Sequence, residues 1–534
     1  MLSDLLAGIT VGLVALPLAM AFAISSGVAP QAGIYTAVVA GFLISALGGS
    51  NVQIGGPTGA FVVVVFGIVA KYGIDGLYLC TLISGVLLVL LGATGMGSAV
   101  KFIPRPVVLG FTNGIALLIA STQIKDFFGL KVDKVPGEFM ARMGVLIRGF
   151  HTISPEATIL ACSALAIIIL ATRFTPRIPG YIVALLAGTI VVAALGLPLE
   201  TIGTRFGGIP SGLPKLALPR FRPELLYVVL SPALTVAMLG AIESLMSATV
   251  ADRMSGDKHN PNVELIAQGI ANMASPLFGG LPATGAIART ATNIRCGAKS
   301  PVSGMVHALT LLAILLFAAP LAKFIPLAVL AAILMVVAYN MGEWKEIPQM
   351  LKLSRSDISV WLMTFGLTVF ADLTVAVEFG MILAALMFIR KVAMTTTVSR
   401  VTREYVLEGH AHILQDKKIP DYVVIFRIHG PFLFGATDKL TTVTENIASL
   451  PRVVILRIRN MTAIDATGLQ ALEDLADVLH SADRSLILCG AREQPARLMH
   501  QADFERHVGR ENICASVKDA LERAEQGAMS HPAL

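Results

Sequence analysis

Between Leu5 and about Val392 the chain runs through fourteen apolar stretches, each about the length of a membrane span or of half a span, and no other feature limits its fold so strongly. A span needs roughly 20 apolar residues, fewer where a half-helix lies among protein neighbours. The first seven stretches lie at about 5–25, 31–48, 57–70, 74–95, 103–123, 155–172 and 179–196, and the second seven at about 227–253, 262–278, 284–296, 301–319, 324–341, 357–371 and 373–392. Only 14% of the 534 residues are charged and 55% are hydrophobic, with mean hydropathy +0.75, whereas soluble domains carry roughly 25% charged residues. An integral membrane protein follows. From Arg403 onward the composition is that of a soluble domain. The expected organisation is a membrane domain over 1–394, with repeats at about 1–196 and 227–394, then a linker and cytoplasmic domain over 395–534.

The two sets of seven share spelling. Thr58-Gly59-Ala60, behind Gly55-Gly56-Pro57, recurs 226 positions later as Thr284-Gly285-Ala286, behind Gly279-Gly280-Leu281-Pro282-Ala283. Phe102-Ile103-Pro104 recurs 222 positions later as Phe324-Ile325-Pro326. Two matches at nearly one offset indicate an internal duplication, and an odd number of spans per half makes it an inverted repeat. The third and tenth stretches, which follow the Thr-Gly-Ala copies, are short and read as half-helices starting inside the protein. Gly/Pro-interrupted segments at corresponding places in two halves point to a transporter's midplane binding site.

Charge fixes the expected topology. Cytoplasmic loops carry an excess of Lys and Arg, most reliably when short. With the N-terminus inside, the cytoplasmic loops hold Lys101, Arg105, Arg173, Arg177, Arg253, Lys258, Arg295, Lys299, Lys345, Lys352 and Arg355, and the short outer loops only Lys71 and Lys323. Both termini are therefore expected in the cytoplasm, with the first stretch retained as a helix. The net charge of +6 sits in these loops and forms no aromatic-basic patch, which argues against nucleic-acid binding. Cys80, Cys162, Cys296, Cys489 and Cys514 lack CxxC spacing and three lie in or beside apolar segments, so they read as inert packing residues and no metal site is expected. Beyond Lys391, strands at 421–428, 453–458 and 485–489 and a helix at 468–480 form an α/β domain with no glycine-rich phosphate loop or catalytic constellation.

A half-helix starting at Pro57 or Pro282 leaves its first N–H groups unpaired and presents the positive end of its dipole. Gly59 or Gly285 lets a ligand approach the backbone, and Thr58 or Thr284 can cap the helix or donate a hydroxyl hydrogen bond. Two such ends facing each other would make an anion site built largely from backbone. Arg289, in the second short helix, adds positive potential at membrane depth, where an unpaired charge costs about 2.5–3.5 kcal/mol; a structural pair with a carboxylate is its alternative. Glu243 is the only carboxylate within the long apolar run of the eighth stretch, before Asp252 at its end, and an apolar setting favours the proton-holding form of such a group. Ser247 lies one helical turn on, so the two could share a cation.

The stretches 7-AGITVGLVALPLAMAFA-23, 55-GGPTGAFVV-63, 238-MLGAIESLMSATVAD-252 and 279-GGLPATGAIARTATNIRCGAKSPVSG-304 resemble the sulfate permease (SulP) family of anion transporters, and 464-IDATG-468 resembles a STAS domain. The resemblance implies an all-α polytopic domain of fourteen helices in a seven-plus-seven inverted repeat, core and gate parts, a homodimer and a small α/β STAS domain. It places the substrate at Phe22, Thr58, Gly59, Ala286, Ile287, Ala288 and Arg289, and the coupling ion at Glu243, Ser247 and Gly285. Leu18 and Ala288 depart from the polar residues of many relatives. The Glu243–Arg289 region is most similar to bacterial C4-dicarboxylate permeases and next to bicarbonate permeases. Glutamate at 243 resembles the proton-coupled relatives, with Na+ as the alternative. Thr467 matches a residue phosphorylated in anti-sigma factor antagonists, or is a plain helix cap.

The expected protein is a secondary active transporter of sulfate, bicarbonate or a C4-dicarboxylate, not an enzyme, with no cofactor beyond the coupling ion. It would sit multi-pass in a bacterial inner membrane, as a homodimer whose STAS domain meets a cytoplasmic partner. A nucleobase permease of similar architecture and a membrane-anchored signalling protein are the competing readings.

Overall fold

The computed structural model describes residues 1–97, 104–132, 135–174, 179–216, 223–371, 373–401, 419–440, 443 and 447–530. Lys101, Phe102, Ile103 and Arg177 lie outside these. Contacts divide the chain into two units, Met1–Leu383 and Ala384–Leu534.

The first unit opens with α1 (Leu2–Ser25), α2 (Pro30–Leu47), β1 (Gly55–Gly56), α3 (Gly59–Ala93), α4 (Arg105–Phe128), α5 (Phe139–Gly149), α6 (Pro155–Phe174), α7 (Gly180–Leu195) and α8 (Ile202–Phe206). It continues with α9 (Leu230–Ser255), α10 (Pro261–Ala274), β2 (Thr284–Gly285), α11 (Ile287–Arg295), α12 (Val302–Phe317), α13 (Leu327–Met341), α14 (Ile347–Met350), α15 (Arg355–Phe370) and α16 (Leu373–Thr395), which runs into the second unit. Every predicted span meets a helix. The third and fourth are limbs of α3, whose backbone breaks at Gly73 (φ 71°). Seven described helices are long and apolar enough to cross a membrane. Helices α5, α8 and α14 were not expected; α5 is short and amphipathic rather than apolar, so span length could not reveal it.

Packing sorts the helices into two groups. Helix α1 packs on α2, α11 and α12, α3 on α9 and α10, and α2 on α10 and α12; separately, α4 packs on α13 and α15, and α6 on α7 and α13. The repeat is visible in these pairs: α1 meets α12 as α9 meets α3, and α2 meets α12 as α10 meets α3. The second repeated tripeptide has a matching meaning, since Pro104 and Pro326 are the N-caps of α4 and α13.

The second unit carries β3 (Thr397–Arg400), β4 (Val423–Phe432), β5 (Val453–Ile464), α17 (Ala466–Ser481), β6 (Ser485–Cys489), α18 (Glu493–Gln501), α19 (Glu505–Val508), β7 (Ile513–Cys514) and α20 (Val517–Ser530). Strand order is β3-β4-β5-β6-β7, antiparallel only at β3–β4. Alternation along β4 and β5 sends Phe426 and Leu456 to the α17 face, and Ile425 and Ile455 to the α20 face. The parallel strands are buried on both sides, which is why they read as continuous apolar runs.

Candidate functional site

The two copies of the repeated motif meet. Gly55 pairs with Gly285 and Gly56 with Thr284 in an antiparallel two-stranded sheet, extended by a hydrogen bond from Ala286 N–H to the Ile54 carbonyl at 2.8 Å. Gly56 has φ +146°, and a Cβ there would sit 2.9 Å from Arg289 Nη1, so only glycine fits. At Gly285 a Cβ would fall 1.6 Å from Gln53 Nε2, which donates to the Ser244 carbonyl at 3.1 Å.

The copies start their helices differently. Helix α3 starts at Gly59 with Thr58 as N-cap, two residues after Pro57, close to expectation. Helix α11 starts at Ile287 with Ala286 as N-cap, five residues after Pro282. The expectation of a helix start at Pro282 is therefore corrected: the intervening backbone is committed to β2 and to α10, where Asn272 takes the Ala283 N–H and donates to the Ala283 carbonyl, both at 2.8 Å. Thr284 is also corrected as a ligand donor. Its hydroxyl, fully buried, reaches the Gly240 carbonyl at 3.0 Å and Ser244 Oγ at 2.7 Å. Thr58 Oγ1, by contrast, is buried without a hydrogen-bond partner.

A cavity of about 290 Å³ lies against both helix starts. Phe22, Thr58, Gly59, Ala286, Ile287, Ala288, Arg289 and Glu243 all line it, so the expected substrate residues and the expected coupling carboxylate share one space. Ser247 and Gly285 do not line it. Ser247 Oγ contacts Thr290 Oγ1 at 3.2 Å, and the Gly285 N–H donates to Ser244 Oγ at 3.2 Å; both are occupied in holding the second motif to α9. Of the three expected coupling residues, Glu243 is the one that lines the cavity.

Arg289 is 3% exposed. Its Nη2 donates to the Pro57 carbonyl, and its Nη1 has no partner. No ion pair joins it to Glu243 among the described residues. The guanidinium is thereby fixed at the start of α3 with one donor face unused, beside the first-turn N–H groups of α3 and α11, which lack intrahelical acceptors. Backbone donors, a hydroxyl, a guanidinium and two helix dipoles lie close together there, an arrangement chemically able to hold a small anion.

Sequence reasoning missed the opposite wall. Thr112 of α4, Tyr181 of α7, and Asn340 and Glu343 at the end of α13 also line the cavity, as single polar residues whose spacing carries no signal. It also missed a polar ladder on α10, where Glu264 accepts from Gly49 N–H at 2.9 Å and Ser50 N–H at 3.3 Å, Gln268 donates to Glu264 at 2.8 Å, and Asn272 holds Ala283. The spacing of four residues is the signal that could have found it.

In the second unit Thr467 is exposed and is not the cap of α17. Asp465 is, accepting from the Gly468 N–H at 2.8 Å and the Phe434 N–H at 2.9 Å.

Comparison with known proteins agrees with this architecture. Residues 1–364 match the sulfate permease family and residues 415–520 the STAS domain. The "Putative sulfate transporter YvdB" of Bacillus subtilis (strain 168) is 43% identical over 513 residues, covering 96% of this chain and 95% of the relative. The transmembrane domain of a cyanobacterium bicarbonate transporter, BicA, superposes with TM-score 0.64 at 33% identity over 72% of this chain and 97% of that one. SLC26A9 shares the fold, with TM-score 0.85 at 18% identity over 99% of this chain and 91% of that one. With its motif-bearing helices, paired half-helix starts and C-terminal STAS domain, this multi-pass membrane protein belongs to the sulfate permease family.

Proposed function

We propose that this chain is a secondary active transporter that carries a small anion, sulfate, bicarbonate or a C4-dicarboxylate, by alternating access and in symport with a proton held by Glu243. The observation that carries the reading is one cavity lined by Thr58, Arg289 and Glu243, with Thr58 Oγ1 and Arg289 Nη1 buried and unpartnered beside it. Relatives named for sulfate and bicarbonate transport support the anion class. Leu18 and Ala288 line the same cavity without donors, so selectivity rests on backbone, Thr58 and Arg289. The helix groups around α1 and α3 and around α4 and α13 supply the two bodies that alternating access needs. The cycle runs in a bacterial inner membrane with both termini cytoplasmic, in a homodimer whose STAS domains bind a cytoplasmic partner.

Anion and proton belong together on electrostatic grounds. A carboxylate beside a bound anion repels it; the protonated acid does not, so loading of the anion and of the proton favour each other. The test is uptake by proteoliposomes of labelled sulfate, bicarbonate, succinate and chloride, with and without an inward proton gradient. Gradient-driven accumulation of at least one anion is expected, and Glu243→Gln should abolish accumulation while leaving anion binding measurable. Absence of flux for every anion would remove the transporter reading, and unchanged pH dependence in Glu243→Gln would remove the coupling assignment. Flux of a nucleobase, or none with a STAS-dependent signal, would favour the competing readings.

A further inference from the structure

Glu343 stands at the end of α13 in an unusual backbone conformation. Its φ is +44°, a region that only two other described non-glycine residues, Asp483 and Asp503, occupy. A residue other than glycine stays there only when its surroundings hold it. Here the fully buried Asn113 of α4 does so: its Nδ2 donates to the Gly342 carbonyl, and its Oδ1 accepts from Trp361 Nε1 of α15 at 2.9 Å. Three helices thus fix the peptide that aims Glu343.

What it is aimed at is the cavity that Glu243 lines from the other side. Glu343 itself is exposed, so it stands at the mouth, while Glu243 is half-buried further in. Both residues line one cavity. The remaining charges are accounted for: Arg105 of α4 pairs with Glu346 at 2.5 Å, Arg289 of α11 is held by Pro57, Lys345 is exposed, and Tyr181 of α7 is the other titratable group on the wall. Among the described residues the Glu343 carboxylate makes no hydrogen bond or ion pair. An unpaired carboxylate in the path of an anion hinders loading, so a structural or anion-binding role does not explain it.

Resting on the proton-coupled reading above, we propose that Glu343 is the proton relay between Glu243 and the solvent at the mouth of the cavity. In the exit step the Glu243 carboxylic acid gives its proton, directly or through one cavity water, to the Glu343 carboxylate. Glu243 is left ionised and Glu343 neutral, and Glu343 then releases the proton to bulk water. Charge is conserved at each transfer. No oxidant or metal enters.

The test uses the full chain in lipid, a proton jump from a photolysed caged acid, and time-resolved infrared detection of the Glu243 carboxyl band, identified by its loss in Glu243→Gln. In Glu343→Gln the band should form at least about tenfold more slowly than in wild type, and imidazole, a small proton carrier, should restore the rate. Glu343→Gly, which suits the left-handed backbone, should be equally slow and equally rescued, which separates loss of the carboxylate from loss of the fold. A rate within twofold of wild type in Glu343→Gln, or slowing that imidazole does not relieve, overturns the relay. A wild-type protein with no Glu243 band overturns the coupling reading and the relay with it, whereas a normal band with unaltered Glu343→Gln kinetics overturns the relay alone.

Discussion

Replacing Arg289 by alanine separates two things that one side chain does. The residue lines the cavity with its Nη1 buried and unpartnered, and its Nη2 holds the Pro57 carbonyl at the start of α3. The charge can be valued. With the guanidinium 3% exposed, an anion at ~5 Å and an effective dielectric of ~20, the attraction is about 3 kcal/mol per unit of anion charge. That corresponds to a loss of affinity of roughly 150-fold. A charge-assisted hydrogen bond alone is worth about 1.5–3 kcal/mol, so the two views of one contact agree and are not added.

Arg289→Lys divides the effect. Lysine keeps the charge but not the fork that spans cavity and Pro57. Anion affinity, measured by calorimetry on detergent-purified protein with the anion that uptake identifies, should fall by the full factor in Arg289→Ala and by about tenfold in Arg289→Lys, half of the energy being retained. Thermal stability should fall in both variants, because both lose the Pro57 contact. Affinity in Arg289→Ala within threefold of wild type would refute the electrostatic argument. Equal losses in Ala and Lys would show that the Pro57 contact, not the charge, governs binding.

Thr58→Val should weaken anion binding by about fivefold, the worth of about 1 kcal/mol for one hydrogen bond, with an unchanged melting temperature; Thr284→Val should do the reverse, destabilising by ~1–3 kcal/mol because Ser244 and Gly240 lose a buried partner. A swapped pattern in calorimetry and melting experiments would overturn the assignment. Gly285→Ala should cost about 1–3 kcal/mol through the clash with Gln53, and Gln53→Ala should relieve most of it in a double-mutant cycle. In the second unit the hydrogen bond that His507 Nδ1 donates to the Asp477 carboxylate at 2.9 Å raises the pKa of His507 above its ordinary value. The contribution of this pair to stability is therefore complete below about pH 6.5 and is lost as pH rises through the raised value. Scanning calorimetry of wild type and Asp477→Asn should show that slope only in wild type.

The membrane spans were legible because burial in lipid demands long apolar runs, a property each segment carries alone. Thr58 and Arg289 were legible because motif spacing placed them on short helices that must start inside the protein, and Phe22 only through the resemblance of the first helix to the family. What the sequence hid depends on contacts between distant segments. Whether Pro282 opens a helix is settled by strand pairing with Gly55 and Gly56, far away in the chain, and by Asn272 on the helix before it. The opposite wall, Thr112, Tyr181, Asn340 and Glu343, consists of isolated polar residues that look the same in sequence whether they line a cavity or pack. Asp465 and Thr467 are two positions apart, and only the φ of Asp465 (−109°) and the direction of its carboxylate say which one caps α17.

The duplication is unequal because of where the strand lies. In the first copy β1 precedes Pro57; in the second β2 is the Thr-Gly of the repeated tripeptide itself. At the offset of 226, Gly59 corresponds to Gly285 and Val63 to Arg289. Helix α3 begins at Gly59, but α11 begins two residues past the corresponding position, since Thr284 and Gly285 are paired with β1. This delay changes the place of Arg289. Val63 is the fifth residue of α3, while Arg289 is the third of α11, in the first turn where N–H groups and the helix dipole point at a ligand. The same pairing draws Thr284 away to α9 and leaves Thr58 as the motif threonine at the cavity. One strand pair thus turns two copies of one motif into a hydroxyl donor and a cation donor. Displacing β2 from β1, as the clash of Gly285→Ala with Gln53 would, should therefore disturb both donors at once, although it alters neither side chain.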